Sequence, residues 1–553
     1  MISLLSDYRF RYLTNDDLII AMEQKKDNQA LYPKDEWIAL VSKIYITYYY
    51  TAIYKLSKLV DIKPAFLLTQ AFTRWLFFVS VFFLSLTLFR KHEVGWISML
   101  ILLTEKSLFG NSVTVSTESH PQFVSIAIVL LGITFVLKRK IAISAVIISL
   151  VLYLHAMSAI WGALYSAFCW IGIYKKGLIK RTLLPILLAV VVSIPFFYFL
   201  FDSEVVTYAV TWSRDKAEAY ARWRIPIHIF PLTWGMRENL LNLTILSSMF
   251  FLAYIGVQKQ KESRKILVCV VVGTLLMWAC GTVFTELYYL SIMNKLQLFR
   301  ASSIIVVVLS IYLANYVCEQ IKDFKTQGKY SAIIVLLFGV LCISLNNLDK
   351  TFLIGIVAIF LAPLIDLPQV NQIFETMIRK TIQSLASYRL LGSSIICVVF
   401  VSFGALFAVE VEGRLATYYN SSSTLDEEFV EAALWSKDNT PIDSLFVTPP
   451  YAQGFRVWSE RSQLPDWKDA GIGNYAPRFA LISLDVMKGY GFQPGMDEKY
   501  LESITSETII TVGKKHGADY AILPMGKSTQ LNCIEFMNKK WQIVALNKTC
   551  VVN

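Results

Sequence analysis

The residues of this chain best suited to chemistry begin with carboxylates close to its N-terminus. Asp7 comes first, Asp16 and Asp17 follow as a pair, and the run from Tyr32 to Trp37 adds two more acidic side chains. Carboxylates in this arrangement can act as a general base, or hold a divalent metal such as Mg²⁺ or Mn²⁺ against a phosphate leaving group. The alternative is a solvated segment whose acidic residues only cap helices.

A second candidate pair is Glu118 with His120, two residues apart and directly before Pro121. A carboxylate beside an imidazole provides an acid/base pair. Because proline is common at the first position of a helix, His120 can equally be a helix cap with no chemical role. His155 lies in an otherwise apolar turn, and we expect it to form a hydrogen bond between helices.

Arginines beside aromatic residues form a third candidate site. Arg222 and Arg224 lie in the polar loop 202–238 among tryptophan and tyrosine residues, and Arg300 stands at the head of a later apolar run. Guanidinium groups bind phosphate through paired hydrogen bonds, and aromatic rings favour the headgroup level of a membrane. The three arginines are therefore candidates for binding a lipid phosphate, and anchoring at the membrane surface is the alternative.

Long apolar runs must position these side chains. A helix needs about 20 residues to cross a bilayer core of about 30 Å. Segment 141–174 is too long for one crossing, so we predict two helices that turn near His155 to Ser158. The other predicted spans are 71–89, 94–110, 121–137, 182–201, 239–256, 266–283, 301–318, 331–347, 351–366 and 391–409. The runs predict twelve spans, or thirteen if residues 39–57 also cross.

Residues 39–57 admit two interpretations. They are largely apolar and rich in tyrosine, but they contain Lys43 and Lys55. If the segment spans the membrane, residues 1–38 are cytoplasmic. If it lies along the surface as an amphipathic helix, residues 1–38 are outside and a preceding span is missing from this chain.

The positions of Lys and Arg orient the chain. Short loops rich in these residues face the cytoplasm, and here every second gap between apolar runs is basic. The basic gaps contain residues 90–91, 138–140, 175–181, 259–265, 322–329 and 379–389. The other gaps, and everything after about residue 410, are therefore expected outside a bacterial inner (plasma) membrane.

The chain divides into an acidic segment with a membrane-edge helix at 1–70, a transmembrane helical domain at 71–410, and an extracytoplasmic α/β domain at 411–553. The last region alternates helical patterns with short apolar strands. We predict helices near 425–438, 475–489 and 504–516, and strands at 444–448, 520–523 and 542–546. Cys533 and Cys550 lie in this domain, where they either form a disulfide or remain free.

The block from Phe446 to Asp469 resembles a recurrent signature of bacterial multi-span proteins of this general type. Its cationic and aromatic side chains can contact an acceptor glycan or a lipid head, with the rings stacked on sugar faces. Ion-paired structural residues are the alternative. The candidates are Arg456, Trp458, Arg461, Trp467 and Lys468.

Composition argues against several classes of protein. With 55% hydrophobic and 17% charged residues, the chain is too apolar for a soluble enzyme. Its net charge of +11 lies largely in the basic gaps, where anionic lipids explain it, so we expect no nucleic-acid partner. The absence of CxxC, HExxH, P-loop and dinucleotide motifs argues against a zinc enzyme or an ATP-driven pump.

The layout resembles a family of membrane enzymes. Its features are an acidic first external segment, a Tyr-Pro-x-Asp sequence from Tyr32 to Asp35, a membrane-edge amphipathic helix, many spans and an exported α/β domain. These resemble GT-C-type integral-membrane glycosyltransferases, most of all between Tyr32 and Arg90. The resemblance implies a polyprenyl-phosphate-linked sugar donor and an essential carboxylate in the first external segment.

The resemblance also implies roles for individual residues. The carboxylate would be Asp7, or else Asp16 or Asp17, and the donor phosphate would contact Arg222, Arg224 or Arg300. The implied reaction moves a sugar to a glycan or lipid acceptor on the extracytoplasmic side. Transfer to protein asparagine is not expected, because the chain has no WWDYG-like motif and no Asp-x-Asp in the second external loop.

Three other functions stay open. A transporter or flippase of lipid-linked saccharides would also need many spans, but it should show broken helices or internal repeats, and none is evident in the sequence. A ligase or polymerase would share the donor and use arginine and histidine in place of carboxylates. The third is a non-catalytic role in assembly of the cell envelope.

Overall fold

The computed structural model describes residues 16–42, 47–104, 106–114, 120–174, 178–202, 213–327, 329–345, 350–363, 427–452, 454–492, 496, 498–525 and 533–547. Most of these residues are helical, and a small sheet lies near the C-terminus. The predicted class, a polytopic α-helical membrane protein with a C-terminal α/β domain, is confirmed.

In the described part of the N-terminal region, three helices precede the first long span: α1 (Asp16–Asp27), α2 (Glu36–Val41) and α3 (Tyr48–Val60). Asp35 caps α2 and Thr47 caps α3 through their side chains. The 13 residues of α3 reach only about 20 Å at 1.5 Å per residue, less than a bilayer core of about 30 Å. Segment 39–57 is therefore not one spanning helix, and the amphipathic interpretation is favoured.

Most helices of the helical domain follow the predicted apolar runs. The predicted span 94–110 is wrong, because its helix His92–Ile101 has only 10 residues and a short hairpin follows at 107–113. Among the described residues, six helices are long and apolar enough to cross a membrane, and four shorter helices are also apolar. Segment 141–174 forms two helices, as predicted, with the turn at 152–155. The last predicted span, 391–409, lies outside the described residues. The helices of this region are α4 (Ile62–Phe89), α5 (His92–Ile101), α6 (Pro121–Leu137), α7 (Ile141–Val151), α8 (Ala156–Ile173), α9 (Leu178–Asp202), α10 (Arg214–Arg224), α11 (Pro226–Ile229), α12 (Met236–Gly256), α13 (Lys261–Thr282), α14 (Ser291–Leu296), α15 (Ser302–Thr326), α16 (Tyr330–Leu345) and α17 (Lys350–Leu361).

Small residues allow these helices to pack closely. A side chain at Gly339 of α16 would come within 2.7 Å of the Gly355 carbonyl oxygen of α17, and the reverse contact is equally short. Backbones approach this closely in membrane proteins where both residues are small. The glycine pair therefore sets the spacing between α16 and α17.

The basic gaps at 90–91, 138–140 and 259–265 meet at one end of the helical domain, which we call the inner end. Lys91 pairs with Glu319 there, and Arg139 lies 3.8 Å from Glu262. The non-basic gaps meet at the opposite, outer end. At the outer end the His228 ring is hydrogen-bonded to the Gly110 carbonyl. Gly110 lies in the turn of a short hairpin formed by β1 (Ser107–Leu108) and β2 (Ser112–Val113). The alternation of charge along the sequence thus corresponds to two ends of one bundle.

The C-terminal domain is a mixed five-stranded sheet with helices on both faces. Its strands lie in the order β4-β3-β5-β7-β6; β3 is parallel to β4 and β5, whereas β7 is antiparallel to β5 and β6. One face packs on α20 and α21, and the other on α18 and α19. The elements are α18 (Glu427–Asn439), β3 (Leu445–Val447), α19 (Phe455–Ser459), β4 (Ser462–Gln463), α20 (Pro477–Gly489), α21 (Ser506–Lys515), β5 (Tyr520–Pro524), β6 (Ile534–Met537) and β7 (Trp541–Ala545).

The three predicted helices and three predicted strands of this domain are all present, and β4 and β6 are additional. Cys533, just before β6, is disulfide-bonded. Cys550, which the sequence offers as a partner, lies outside the described residues.

Candidate functional site

The outer end of the bundle contacts the C-terminal domain through α10. The Tyr220 hydroxyl donates a hydrogen bond of 2.6 Å to the Ala470 carbonyl, and the Trp223 ring packs on the Trp467 ring at 5.4 Å. The opposite side of α10 faces the membrane helices, where the Tyr289 hydroxyl donates to the Ala217 carbonyl. We call this region, formed by α10, α11, the turn 298–301 and the segment 466–476, the outer junction.

The N-terminal segment lies on the same side as the C-terminal domain. The Tyr32 hydroxyl donates to the Arg456 carbonyl at 2.9 Å, and the Lys34 amide donates to the Ser462 hydroxyl at 3.1 Å. Ile20 of α1 shares an apolar cluster with Phe479 of α20 and with Val124 near the outer end of α6. These contacts place α1 and α2 beside the outer junction, so both regions face the same side of the membrane.

Arg456 is the centre of a buried ion cluster. Its guanidinium donates from Nε to Asp35 at 2.6 Å and from NH2 to Asp469 at 2.9 Å, and all three side chains are at most 1% exposed. Burial by itself would lower the pKa of Arg456, but the two carboxylates raise it above its ordinary value and keep the group charged. The cluster therefore joins the N-terminal segment to the C-terminal domain.

This arrangement favours the structural alternative for two of the proposed acceptor residues. Arg456 is occupied by Asp35 and Asp469, and Asp35 in turn is not available as a base. Arg461 is buried and donates from NH2 to the carbonyls of Lys437 and Thr440 at 2.5 and 2.6 Å. An arginine whose donors face backbone carbonyls in the core has a packing role.

The other three proposed acceptor residues lie nearer the protein surface or at the outer junction. Trp458 is half-buried against two apolar clusters, and Lys468 is half-buried at the junction. Trp467 is buried, and the Arg224 guanidinium lies 4.1 Å above its ring. That contact is a cation–π interaction, so Trp467 orients an arginine.

The proposed donor arginines Arg222 and Arg224 point in different directions. Arg222 bonds to Glu218 at 2.9 Å and to Glu286 at 3.2 Å, and its charge is compensated by these carboxylates. Arg224, two residues further along α10, faces the C-terminal domain at the outer junction. Arg224 is therefore the better placed of the two to meet a phosphate.

Arg300 joins the tops of α6 and α14. Its NH2 donates to the Gln122 side-chain oxygen at 2.5 Å, and its NH1 donates to the Gln297 side-chain oxygen at 3.0 Å. Gln297 has a left-handed backbone, with φ of 45°, which turns the chain between α14 and α15. These two side-chain amides fix the direction of the guanidinium, a group suited to an anionic ligand.

His228 lies among cations of the outer junction. Its Nδ1 lies 2.8 Å from the Gly110 carbonyl oxygen, which can only accept, so Nδ1 carries the proton and Nε2 can accept. Burial and the charges of Arg300, Arg224 and Lys468 lower the pKa of His228 to about 3, although the bond to Gly110 opposes the shift. Three cations therefore lie near one another at this end of the bundle, which is an arrangement suited to an anion.

His120 and His155 cap helices. His120 accepts from the Gln122 amide through Nδ1 at 3.1 Å, and His155 accepts from the Ser158 amide in the same way at 3.2 Å. Their rings meet at 5.9 Å. The cap interpretation of His120 is therefore what the structure shows, and Glu118, its proposed partner, lies outside the described residues.

Most of the proposed catalytic carboxylates lie at positions whose side chains the structure does not describe. Asp7 lies outside the described residues, and Asp16 and Asp17 open α1 without a description of their side chains. Within the described part of the chain there is no group of three or more His, Cys, Asp or Glu side chains arranged to hold a metal ion. A Mg²⁺ or Mn²⁺ site remains a proposal for the acidic segment.

Sequence reasoning missed the polar residues that position Arg300 and Arg224. Gln122 carried a signal, because it is a polar side chain directly after the proline that opens an apolar run. Gln297 was visible between two leucines in the same way. His228 carried none, because its position beside the hairpin depends on contacts far apart in the sequence.

Comparisons with known proteins give one family model and several structures. Residues 427–473 match the model described as Domain of unknown function (DUF6798). No curated protein is significantly similar in sequence. Among solved structures, the chain is similar to ArnT from Cupriavidus metallidurans in the apo state, with 10% identity, a TM-score of 0.46, and coverage of 99% of this chain and 96% of that one.

The chain is also similar to the archaeal oligosaccharyltransferase AglB from Archaeoglobus fulgidus, solved with an inhibitory peptide and a dolichol-phosphate. The identity is 11% and the TM-score 0.47, over 95% of this chain and 68% of that one. Both proteins are GT-C-type membrane glycosyltransferases, the superfamily that the sequence resembles. At TM-scores of 0.46 and 0.47, these similarities carry no argument about the activity of this chain.

Proposed function

We propose that this protein is a membrane glycosyltransferase that moves a sugar from a polyprenyl-phosphate-linked donor to a glycan or lipid acceptor on the extracytoplasmic side. The observation that carries the proposal is that Arg300, Arg224 and Lys468 lie near one another at the outer junction. Gln122 and Gln297 hold Arg300, and Arg224 lies over the Trp467 ring. A lipid phosphate at the outer end of a membrane bundle is the anion that such a site would meet. The sequence resemblance to GT-C enzymes supports the same donor.

The proposed reaction needs a base and a stabilised leaving group. A carboxylate of the N-terminal segment, Asp7 or else Asp16 or Asp17, takes the proton of the acceptor hydroxyl, and the oxygen attacks the anomeric carbon. The bond from that carbon to the phosphate oxygen breaks, and its electron pair leaves with the polyprenyl phosphate. Arg300 and Arg224 stabilise the charge that develops on the phosphate.

The contacts of the N-terminal segment support this division of roles. Tyr32 and Lys34 bond to the C-terminal domain, and Ile20 packs near the outer end of α6, whose Gln122 holds Arg300. These contacts support a placement of α1, which begins with Asp16 and Asp17, at the same end of the bundle as the cations from the middle of the chain. A transferase needs both groups at one glycolipid.

Donor binding tests the cationic half of the proposal. The full-length protein in nanodiscs of zwitterionic lipid is titrated with polyprenyl phosphate, and Arg300→Gln should weaken binding by about tenfold or more, because a hydrogen bond to a charged group contributes about 1.5–3 kcal/mol. Arg237→Gln is the matched control, because Arg237 is an exposed cation at the outer end of the bundle, in a different loop from Arg300. Equal affinities for the two variants would remove the proposed phosphate site.

Sugar transfer tests the acidic half. Asp7→Asn should abolish transfer from a polyprenyl-phosphate sugar while leaving donor binding unchanged. Asp27→Asn is the control in the same segment, because Asp27 is half exposed and pairs with Lys58 and Tyr54. Donor binding without transfer in the wild-type protein would favour a flippase or transporter of lipid-linked saccharides.

A further inference from the structure

A cavity of about 700 Å³ opens at the inner end, opposite the proposed transferase site. It lies where three basic gaps come together: the gap after α4, the gap between α6 and α7, and the gap before α13. The end of α8 also borders it. Its volume is within the range of sites that hold small ligands. The lining residues are Thr87, Leu88, Arg90, Leu137, Lys138, Arg139, Ile173, Gln260, Lys261, Glu262, Ser263 and Ile266.

The lining of the cavity contains both cationic and apolar side chains. Among the lining residues, four carry positive charge and Glu262 alone carries negative charge. Arg139 lies 3.8 Å from Glu262, and both side chains are about 60% exposed, so this pair is screened by solvent. The apolar part consists of Leu88, Leu137, Ile173 and Ile266, which belong to the helix ends. A ligand with a charged head and an apolar body fits this lining.

Two of the cations occupy backbone positions that normally belong to glycine. Arg90 follows α4 with φ of 56°, and Arg139 follows α6 with φ of 61°. A left-handed residue after a helix is usually glycine, because a Cβ atom is unfavourable there. Orientation of the chain in a membrane requires positive charge in these gaps but not at these strained positions. Both arginines line the same cavity, which indicates that their side chains serve a local purpose.

We propose that this cavity binds the phosphodiester head of an anionic glycerophospholipid from the inner leaflet. The cations meet the phosphate, and the acyl chains continue along the apolar helix ends toward the bilayer. A soluble phosphate would leave the apolar wall without a partner, so a lipid is the favoured source of the anion. The site is independent of sugar transfer, because it lies at the other end of the bundle.

Native mass spectrometry of the full-length protein tests this site. The protein is titrated in neutral detergent with phosphatidylglycerol, with phosphatidylcholine of the same chains, and with soluble glycerol phosphate. Phosphatidylglycerol alone should be retained. The double variant Arg90→Gly/Arg139→Gly should weaken its binding by about 30-fold, because each direct contact of a guanidinium with the phosphate contributes roughly a factor of five or more.

The glycine substitutions keep the test independent of folding. They remove charge and relieve the left-handed backbone, so thermal stability should be unchanged or higher. Lys322→Gln/Lys325→Gln is the matched control, because it removes two exposed cations of the inner end that do not line the cavity. This control should change binding by less than about threefold.

Three results would overturn the lipid site. Equal weakening in the glycine variant and the lysine control would mean that only the general charge of the inner end attracts lipid. Equal retention of phosphatidylcholine would remove the role of the cations. Displacement of the lipid by glycerol phosphate at similar concentration would replace the lipid by a soluble phosphate.

Discussion

The buried ion cluster makes a sharp prediction about how the N-terminal segment is held. Asp35→Asn removes the charge that pairs with the Arg456 guanidinium, which has almost no contact with water. Asp35 also accepts from the amides of Gln463 at 3.0 Å and Ile38 at 3.1 Å. One substitution therefore weakens two hydrogen bonds across the contact between α2 and the C-terminal domain, and also the cap of α2.

The magnitude follows from the burial of the pair. Breaking a buried ion pair from one side costs about 3–5 kcal/mol, because the remaining charge is left in a poorly polar environment. Asp469 still accepts from Arg456 in the variant, which favours the lower value of about 3 kcal/mol. Local opening of this contact should then become on the order of 100-fold more frequent.

Hydrogen exchange measured by mass spectrometry reports this opening directly. Peptides that cover residues 30–42 and 455–470 should lose protection together by about two orders of magnitude in Asp35→Asn. Lys34→Ala is the matched control, because the neighbouring pair of Lys34 with Asp519 is exposed at 43% and 34% and should contribute at most about 1 kcal/mol. Equal loss of protection in the two variants would refute the assignment of this cluster as the main attachment.

Three further predictions concern other parts of the molecule. Gly339→Leu should lower the free energy of unfolding in detergent by about 1–3 kcal/mol, because the new side chain would collide with the Gly355 carbonyl. Gly235→Ala should have no effect, because the nearest atom to the added Cβ lies at 3.8 Å. His228 is buried in its neutral form, with a pKa of about 3, so its contribution to stability is present above pH 6.5 and is lost as the pH falls from 6.5 toward 3. In that range the free energy of unfolding of the wild-type protein should fall by up to about 1.4 kcal/mol per pH unit because of this residue. In His228→Gln this part of the pH dependence should be absent, which unfolding measured as a function of pH would show. Tyr220→Phe removes a buried hydrogen bond of 2.6 Å at the outer junction, and exchange of residues 469–474 should rise by about tenfold.

The membrane helices were accessible to sequence reasoning because length and apolar content decide them. The run 121–137 coincides with α6, and the long run 141–174 divides at the turn that contains His155. In the C-terminal domain, β4 was missed because two residues are too short to show an alternating pattern. The sequence also left the course of residues 39–57 open, since apolar content alone does not separate a spanning helix from one that lies along the surface.

The roles of individual arginines were less accessible. Arg456 and Arg300 look alike in the sequence, but Arg456 meets carboxylates and Arg300 meets neutral amides. One partner of Arg456, Asp35, lies 421 residues away along the chain, so no local pattern could identify that pair. Sequence identifies arginine as the type of side chain suited to a phosphate site. Which arginine is suitable depends on the partners that the fold places around each guanidinium.

The central claim is that the acidic N-terminal segment and the cations of the outer junction lie together on the extracytoplasmic side. Epitope tags inserted after Gln29, after Thr326 and after Asn538 test it by antibody binding to intact spheroplasts. The account predicts that the tags after Gln29 and Asn538 are accessible and that the tag after Thr326 becomes accessible only when the membrane is opened. A tag after Gln29 that behaves like the one after Thr326 would contradict it.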